Sequence, residues 1–141
     1  MNVVIDTNTF LRGLGGVSPF KEVLQDIVDR CYKIVVTGDI LKEYRSVAHK
    51  LGMTSYVISR KIEDLRDIGK IRLIKRSLVE KVRLSQRPRD PDDVKFLRTA
   101  LASNAQYIVT VDGDLLKLNP YRGEQEYIKI LKPKEYLQNN E

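Results

Sequence analysis

Five acidic side chains are spaced along this chain as a hard-cation site would need them. Asp6 closes the apolar run Val3, Val4, Ile5; Glu43 falls in a helix-like stretch; Asp93 opens another; Asp112 and Asp114 follow the run from Tyr107 to Thr110. Carboxylates gathered without a counter-ion repel one another, and at least one would keep its proton, so the gathering is costly unless a cation neutralises it. Mg²⁺ or Mn²⁺ suits an all-oxygen ligand set, and such ions activate water, bind a phosphodiester and stabilise a leaving oxygen. The expected chemistry is metal-assisted phosphodiester hydrolysis, with Asp6, Glu43, Asp93 and Asp112 as catalytic, metal-binding acids and Asp114 as a further ligand.

Each acid also has an ordinary use. Asp90, Asp92 and Asp93 suit the first turn of a helix, where they cap it and favour its dipole. Glu43 suits an exposed helix position beside lysines, and Asp112 and Asp114 suit a polar turn around Gly113. Asp6 is harder to explain structurally, because it ends a buried strand together with Thr7 and Asn8 rather than with Gly or Pro. Asn8 is a candidate for orienting the Asp6 carboxylate or bonding the turn backbone, and Thr110 for holding the loop that carries Asp112.

The elements that must position these groups alternate between short apolar runs and amphipathic stretches, the pattern of parallel βαβ units and an α/β fold. A first strand covers Val3 to Ile5. Ser18 and Pro19 start a helix whose apolar face is Phe20, Val23, Leu24, Ile27 and Val28. Tyr32 to Val36 forms a second strand, and Thr37 caps a helix with Ile40, Leu41, Tyr44, Val47 and Ala48 on its inner face. Residues 54–68 suit a helix and 71–74 a third strand, whereas 78–84 fits strand and loop equally. Asp90 and Pro91 open a helix ending near Asn104, followed by a strand from Gln106 to Thr110. A short helix at Leu115, Leu116 and Leu118 stops at Asn119 and Pro120, then come a last strand from Tyr127 to Leu131 and a terminal helix from Pro133.

In open parallel sheets, ligands bind beyond the carboxyl ends of the strands where strand order reverses. If the first strand and the 106–110 strand are neighbours there, Asp6 and Asp112 flank the crevice, and the helices bearing Glu43 and Asp93 begin on the same edge of the sheet.

A chain of 141 residues is one domain of ordinary size, here residues 1–137 with a frayed tail at 138–141. An apolar share of 42% with 31% charged residues fits a globular chain in water, and no apolar stretch approaches the ~20 residues of a membrane span. The opening MNVVID has no secretory pattern, so a cytoplasmic location is expected. One cysteine, Cys31, excludes an internal disulfide and a thiol-based zinc site. The net charge of +6 is concentrated in residues 60–89, which hold eleven Lys and Arg against four Asp and Glu. That segment reads equally as a phosphate-facing surface and as a solvated helix and hairpin.

The motifs VVIDTN at 3–8, LKEY at 41–44, RDPDDVKFL at 89–97 and YIVTVDGDLL at 107–116 together resemble the PIN domain. The likeness is to the branch of VapC-like toxins of type II toxin–antitoxin pairs, and only 50–88 lacks an anchor. By this resemblance Asp6, Glu43, Asp93 and Asp112 match the metal-binding acids, Asp114 a further acid of the same loop, and Asp90 an aspartate of the RDPxD motif, where helix capping takes the larger share. The resemblance implies a Rossmann-like α/β/α domain with a parallel sheet of about five strands. It further implies a Mg²⁺- or Mn²⁺-dependent ribonuclease that cuts single-stranded RNA and leaves a 5′-phosphate, a homodimer, and an antitoxin protein as partner. A non-catalytic PIN-fold domain binding nucleic acid or protein is the alternative.

Other chemistries lack parts. An aspartyl-nucleophile phosphatase wants a second aspartate two positions after the first, where Asn8 stands, and a receiver domain wants paired acids near the first strand. The GLGG at 13–16 has no Lys-Ser/Thr after it and reads as a turn. A lone histidine, His49, supplies neither a zinc triad nor a serine–histidine pair.

Overall fold

The structure, a computed structural model, describes residues 1–141. In chain order its elements are β1 (Asn2–Ile5), α1 (Thr7–Leu14), α2 (Phe20–Asp29), β2 (Lys33–Val36), α3 (Gly38–Lys50), α4 (Ser55–Asp67) and β3 (Ile71–Leu73). These are followed by α5 (Arg76–Glu80), a 3₁₀ turn (Pro91–Asp93), α6 (Val94–Ala102), β4 (Tyr107–Val109), α7 (Gly113–Leu116), β5 (Tyr121–Arg122), β6 (Tyr127–Leu131) and α8 (Pro133–Asn139).

Strands covered on both faces read as unbroken apolar runs, because no side chain is left to face water. Val3, Val4 and Ile5 of β1, Ile34, Val35 and Val36 of β2, and Ile108 and Val109 of β4 are accordingly fully buried. The sheet runs β3-β2-β1-β4-β6-β5. Its first five members are parallel, and the two-residue β5 adds an antiparallel rim on β6. Two groups of helices flank it, one in which α8, α2, α1, α3 and α4 pack in succession and one of α5 with α6. Their inner faces and the strands share one apolar core. No helix is long and apolar enough to cross a membrane.

The expected parallel α/β sheet is present, with these differences. Thr7–Leu14, between the first strand and the turn expected at 13–16, is an unexpected helix, α1, and its Phe10, Leu11 and Leu14 join the core. The glycine-rich 13–16 closes that helix: Gly13 lies inside α1, where a Cβ would come within 2.7 Å of the Leu24 side chain, so the contact of α1 with α2 needs its small size. Ser18 does not cap α2; its hydroxyl donates to Glu22 Oε1 at 2.8 Å. The ambiguous 78–84 begins inside α5 and leaves it as coil. Instead of ending in a loose tail after Leu137, α8 continues to Asn139. Asn140 beyond it is buried, with its Oδ1 accepting from the Tyr32 hydroxyl at 2.7 Å.

Candidate metal centre

β1 lies between β2 and β4, so strand order reverses beside it. Ile5 is level with Val109, and the Asp6 amide donates to the Val109 carbonyl at 3.2 Å, which brings Asp6 out of the sheet beside Thr110. There Asp6 is the N-cap of α1: Oδ1 accepts from the Thr9 amide at 3.0 Å, and Oδ2 accepts from the Thr110 hydroxyl. The same Thr110 oxygen accepts from the Asp112 amide at 2.9 Å. Asp112 in turn caps α7, with Oδ1 accepting from the Asp114 and Leu115 amides at 2.8 and 3.2 Å. One threonine hydroxyl thus ties the two aspartates together across the crevice.

Glu43 comes from α3, whose position is fixed by its neighbour Tyr44. That fully buried ring stacks on Phe10 of α1, with centroids 4.2 Å apart, and its hydroxyl donates to the Ile5 carbonyl at 2.6 Å. Burial, with Asp6 and Glu43 nearby, holds the Tyr44 phenol well above its ordinary pKa, so it is a neutral donor. Glu43 Oε2 accepts from the Thr7 hydroxyl, and Oε1 meets the Lys95 ammonium at 2.6 Å.

Asp93 ends the 3₁₀ turn, itself capped by Asp90, whose Oδ1 accepts from the Asp92 amide at 2.9 Å. Its own Oδ2 is enclosed and has no hydrogen-bond donor. Burial first, then the negative charges of Asp112 and Asp90, push the Asp93 carboxyl up to about 7. A proton on Asp93 lets it bond to Asp112, which two ionised carboxylates facing each other cannot do. Asp6 is also raised, mainly by burial, against the lowering influence of the Thr110 and Thr9 hydrogen bonds.

These segments enclose a cavity of about 580 Å³ walled by Asp6, Glu43, Asp90, Asp93 and Asp112, with no Lys, Arg or His in the lining. Four of the five acids anticipated as ligands therefore share one cavity. Asp114 does not line it and gives its amide to Asp112 instead. Asn8 sits at the cavity wall, exposed, with no side-chain hydrogen bond, so Thr110 and the Thr9 amide hold Asp6 in its place. Thr7, Thr9 and Lys95 were not anticipated. The run of Thr7, Asn8 and Thr9 directly after an aspartate, ahead of Phe10, Leu11 and Leu14 at helical spacing, is the signal for α1.

In kind, the residues fit a hard divalent ion: the wall offers only oxygen ligands, and one enclosed oxygen lacks a partner. The carboxylates do not close into a cage, however. No three His, Cys, Asp or Glu side chains are clustered tightly enough to grip a metal ion as they stand. Each oxygen of Asp6 and of Glu43 has one protein partner and keeps a lone pair for a metal, but the spread of the carboxylates means that an ion must draw side chains inward.

Replacing Thr110 by valine leaves Asp6 Oδ2 without its donor and the Asp112 amide without its acceptor. We expect a loss of about 2 kcal/mol in chemical denaturation, with serine retaining most of the stability.

The sequence model of the PIN domain family matches residues 2–114. Among solved structures, a chain in the crystal structure of VapBC2 from Rickettsia felis bound to a DNA fragment from its promoter is similar in fold, with a TM-score of 0.56 at 14% sequence identity, covering 93% of this chain and 97% of that chain. No curated protein matches the sequence. The family match reaches from β1 to α7 and takes in every acid of the cavity; the chain belongs to the PIN domain family.

Proposed function

We propose that the protein is a Mg²⁺- or Mn²⁺-dependent endoribonuclease that cleaves single-stranded RNA and acts as the toxin of a toxin–antitoxin pair in the cytoplasm. The observation that carries the reading is the convergence of Asp6, Glu43, Asp90, Asp93 and Asp112 on one cavity without a basic residue in its wall. Asp6, Glu43, Asp93 and Asp112 would hold the ion, Glu43 in competition with Lys95. When bound, the metal supplies a polarised water and a counter-charge for the phosphodiester. The chain's own contribution is placement: Thr110 fixes Asp6 relative to Asp112, and the capped turns at Asp90 and Asp112 hold their loops. Asp93, raised to about 7 by burial and by the neighbouring carboxylates, gains most from a cation that would offset their charge.

Arg87 and Arg89, both exposed, lie just ahead of the cavity-lining Asp90 in the chain and are the cations of the basic segment best suited to a polyanionic substrate. Elsewhere in the basic segment, Arg60, Arg66 and Arg76 are paired with Asp64, Glu63 and Glu80 on their own helices, which lowers that region's claim to be a phosphate surface. The complex named for the Rickettsia structure supports an antitoxin as partner, and a homodimer belongs to the same reading. A second reading, a PIN domain that binds RNA or protein without turnover, draws on the engagement of both Glu43 oxygens.

Purified protein incubated with single-stranded RNA should yield 5′-phosphorylated fragments with Mg²⁺ or Mn²⁺, and the cleavage should stop on chelation. Intact RNA in Mn²⁺, with binding retained, would favour the non-catalytic reading.

A further inference from the structure

Lys95 is held at the edge of the acidic cavity by three contacts. Its ammonium meets Glu43 Oε1 at 2.6 Å, donates to the Asp92 carbonyl at 2.7 Å, and lies 5.2 Å from the centre of the Phe96 ring. Both partners of the ion pair are largely shielded, at 27% and 28% side-chain exposure, so their attraction is stronger than that of an ordinary surface pair. The ammonium thus sits on a carboxylate whose other oxygen accepts from Thr7, and a metal ion reaching Glu43 competes with that ammonium for its negative charge.

The displaced ammonium has somewhere to go. The lysine also lines a neighbouring cleft of about 310 Å³ between α3, α5 and α6, together with Arg98 and Arg76. Arg76 is occupied by Glu80 at 2.8 Å, and Asp39 is the other acid of this cleft. Arg98 makes no ion pair, and its Nε is enclosed without an acceptor. A cleft that touches the acid cavity through one lysine, and holds a guanidinium lacking an acceptor, is suited to the phosphate adjoining the one being cut.

We propose that Lys95 is an exchangeable internal cation: it neutralises Glu43 while the cavity holds no metal, and on metal binding it is released to contact, with Arg98, the neighbouring phosphate of a single-stranded nucleic acid. This rests on the reading above that the cavity takes a divalent ion. Lys95 is thereby a competitor of the metal and an aid to the substrate, and these two roles predict effects of opposite direction.

The test is Mn²⁺ titration by calorimetry of the intact protein, beside steady-state cleavage of a short single-stranded RNA at saturating Mn²⁺. In Lys95→Met, Mn²⁺ affinity should tighten about fivefold because a competing positive charge is gone, and KM should rise about tenfold with a smaller change in kcat because a phosphate contact is gone. Lys95→Arg, which keeps the charge, should stay within about twofold of wild type in both. Unchanged or weaker Mn²⁺ binding in a folded Lys95→Met protein overturns the exchange and leaves the metal reading standing. Absence of Mn²⁺ uptake by wild type overturns both. Should Lys95→Met not fold, the ¹⁵N signal of the Lys95 ammonium in wild type decides: its resonance should be protected from exchange without metal and lose that protection on adding Mg²⁺, and persistent protection at saturating Mg²⁺ rejects the exchange.

Discussion

Asp6→Asn should lower metal-dependent RNA cleavage at least about a hundredfold, a loss of about 2.7 kcal/mol or more in transition-state stabilisation, while leaving the fold intact. Asp6 is buried at the point where strand order reverses, and its two oxygens already serve the Thr9 amide and the Thr110 hydroxyl. Asparagine keeps the oxygen that caps α1 and replaces the other with an amide whose N–H can donate to the threonine, so geometry survives while the negative charge is lost. Because burial raises the Asp6 carboxyl, its charge is a burden to the metal-free fold, and the variant should melt no lower than wild type in chelator. Cleavage persisting at near wild-type rate in a folded Asp6→Asn protein would falsify the assignment of Asp6 as a metal-binding acid.

The second large effect concerns stability against pH. Asp93 titrates at about 7 when folded and at about 3.9 when unfolded, so between those values the native state binds more protons than the unfolded chain. Metal-free protein should therefore lose stability as pH rises from about 4 to 7 and level off above. Because the carboxyl is partly open to water, which screens its charge, we expect the loss to amount to about 1–2 kcal/mol. Asp93→Asn removes the ionisable group; in chelator it should melt about 3–6 °C above wild type at pH 8 and close to it at pH 5. Mg²⁺ or Mn²⁺ at pH 8 should narrow the gap by stabilising wild type more. Equal differences at pH 5 and pH 8 would show that Asp93 does not titrate as the geometry requires. Asp112 and Asp90 share the field, so the midpoint belongs to the cluster and not to Asp93 alone.

The sequence disclosed the strands well because buried parallel strands are written as plain apolar runs, and Val3 to Ile5, Ile34 to Val36 and Tyr107 to Val109 are of that type. It also disclosed the neighbourhood of Asp6 and Asp112, since the reversal point of a doubly wound sheet is set by topology. It hid α1, because the glycines at 13, 15 and 16 obscure a helix only eight residues long. Thr37 capped α3 as expected, through its side-chain oxygen and the Ile40 amide, whereas Ser18 turned to Glu22. Short-range signals of this kind offer the chain two local partners and leave packing to choose.

What could not be read at all was the pairing of side chains far apart in sequence. Nothing in LKEY or VKFL says that Glu43 and Lys95 meet, or that Thr7 takes the remaining oxygen of that glutamate. Those contacts follow from the packing of α1, α3 and α6 around the end of β1, which is a three-dimensional outcome. They also account for four of the anticipated acids sharing one cavity without closing into a cage.

Both rims of the sheet are very short: three residues of β3 on one side, with the charged Arg72 at its middle, and two of β5 on the other. A foreign strand seeking to zip onto either side finds a template with few free amides and carbonyls, and amyloid-like stacking has little to propagate from. Contacts with other chains must then be made mainly through helices and loops, which leaves the central ribbon of this molecule closed to intruders.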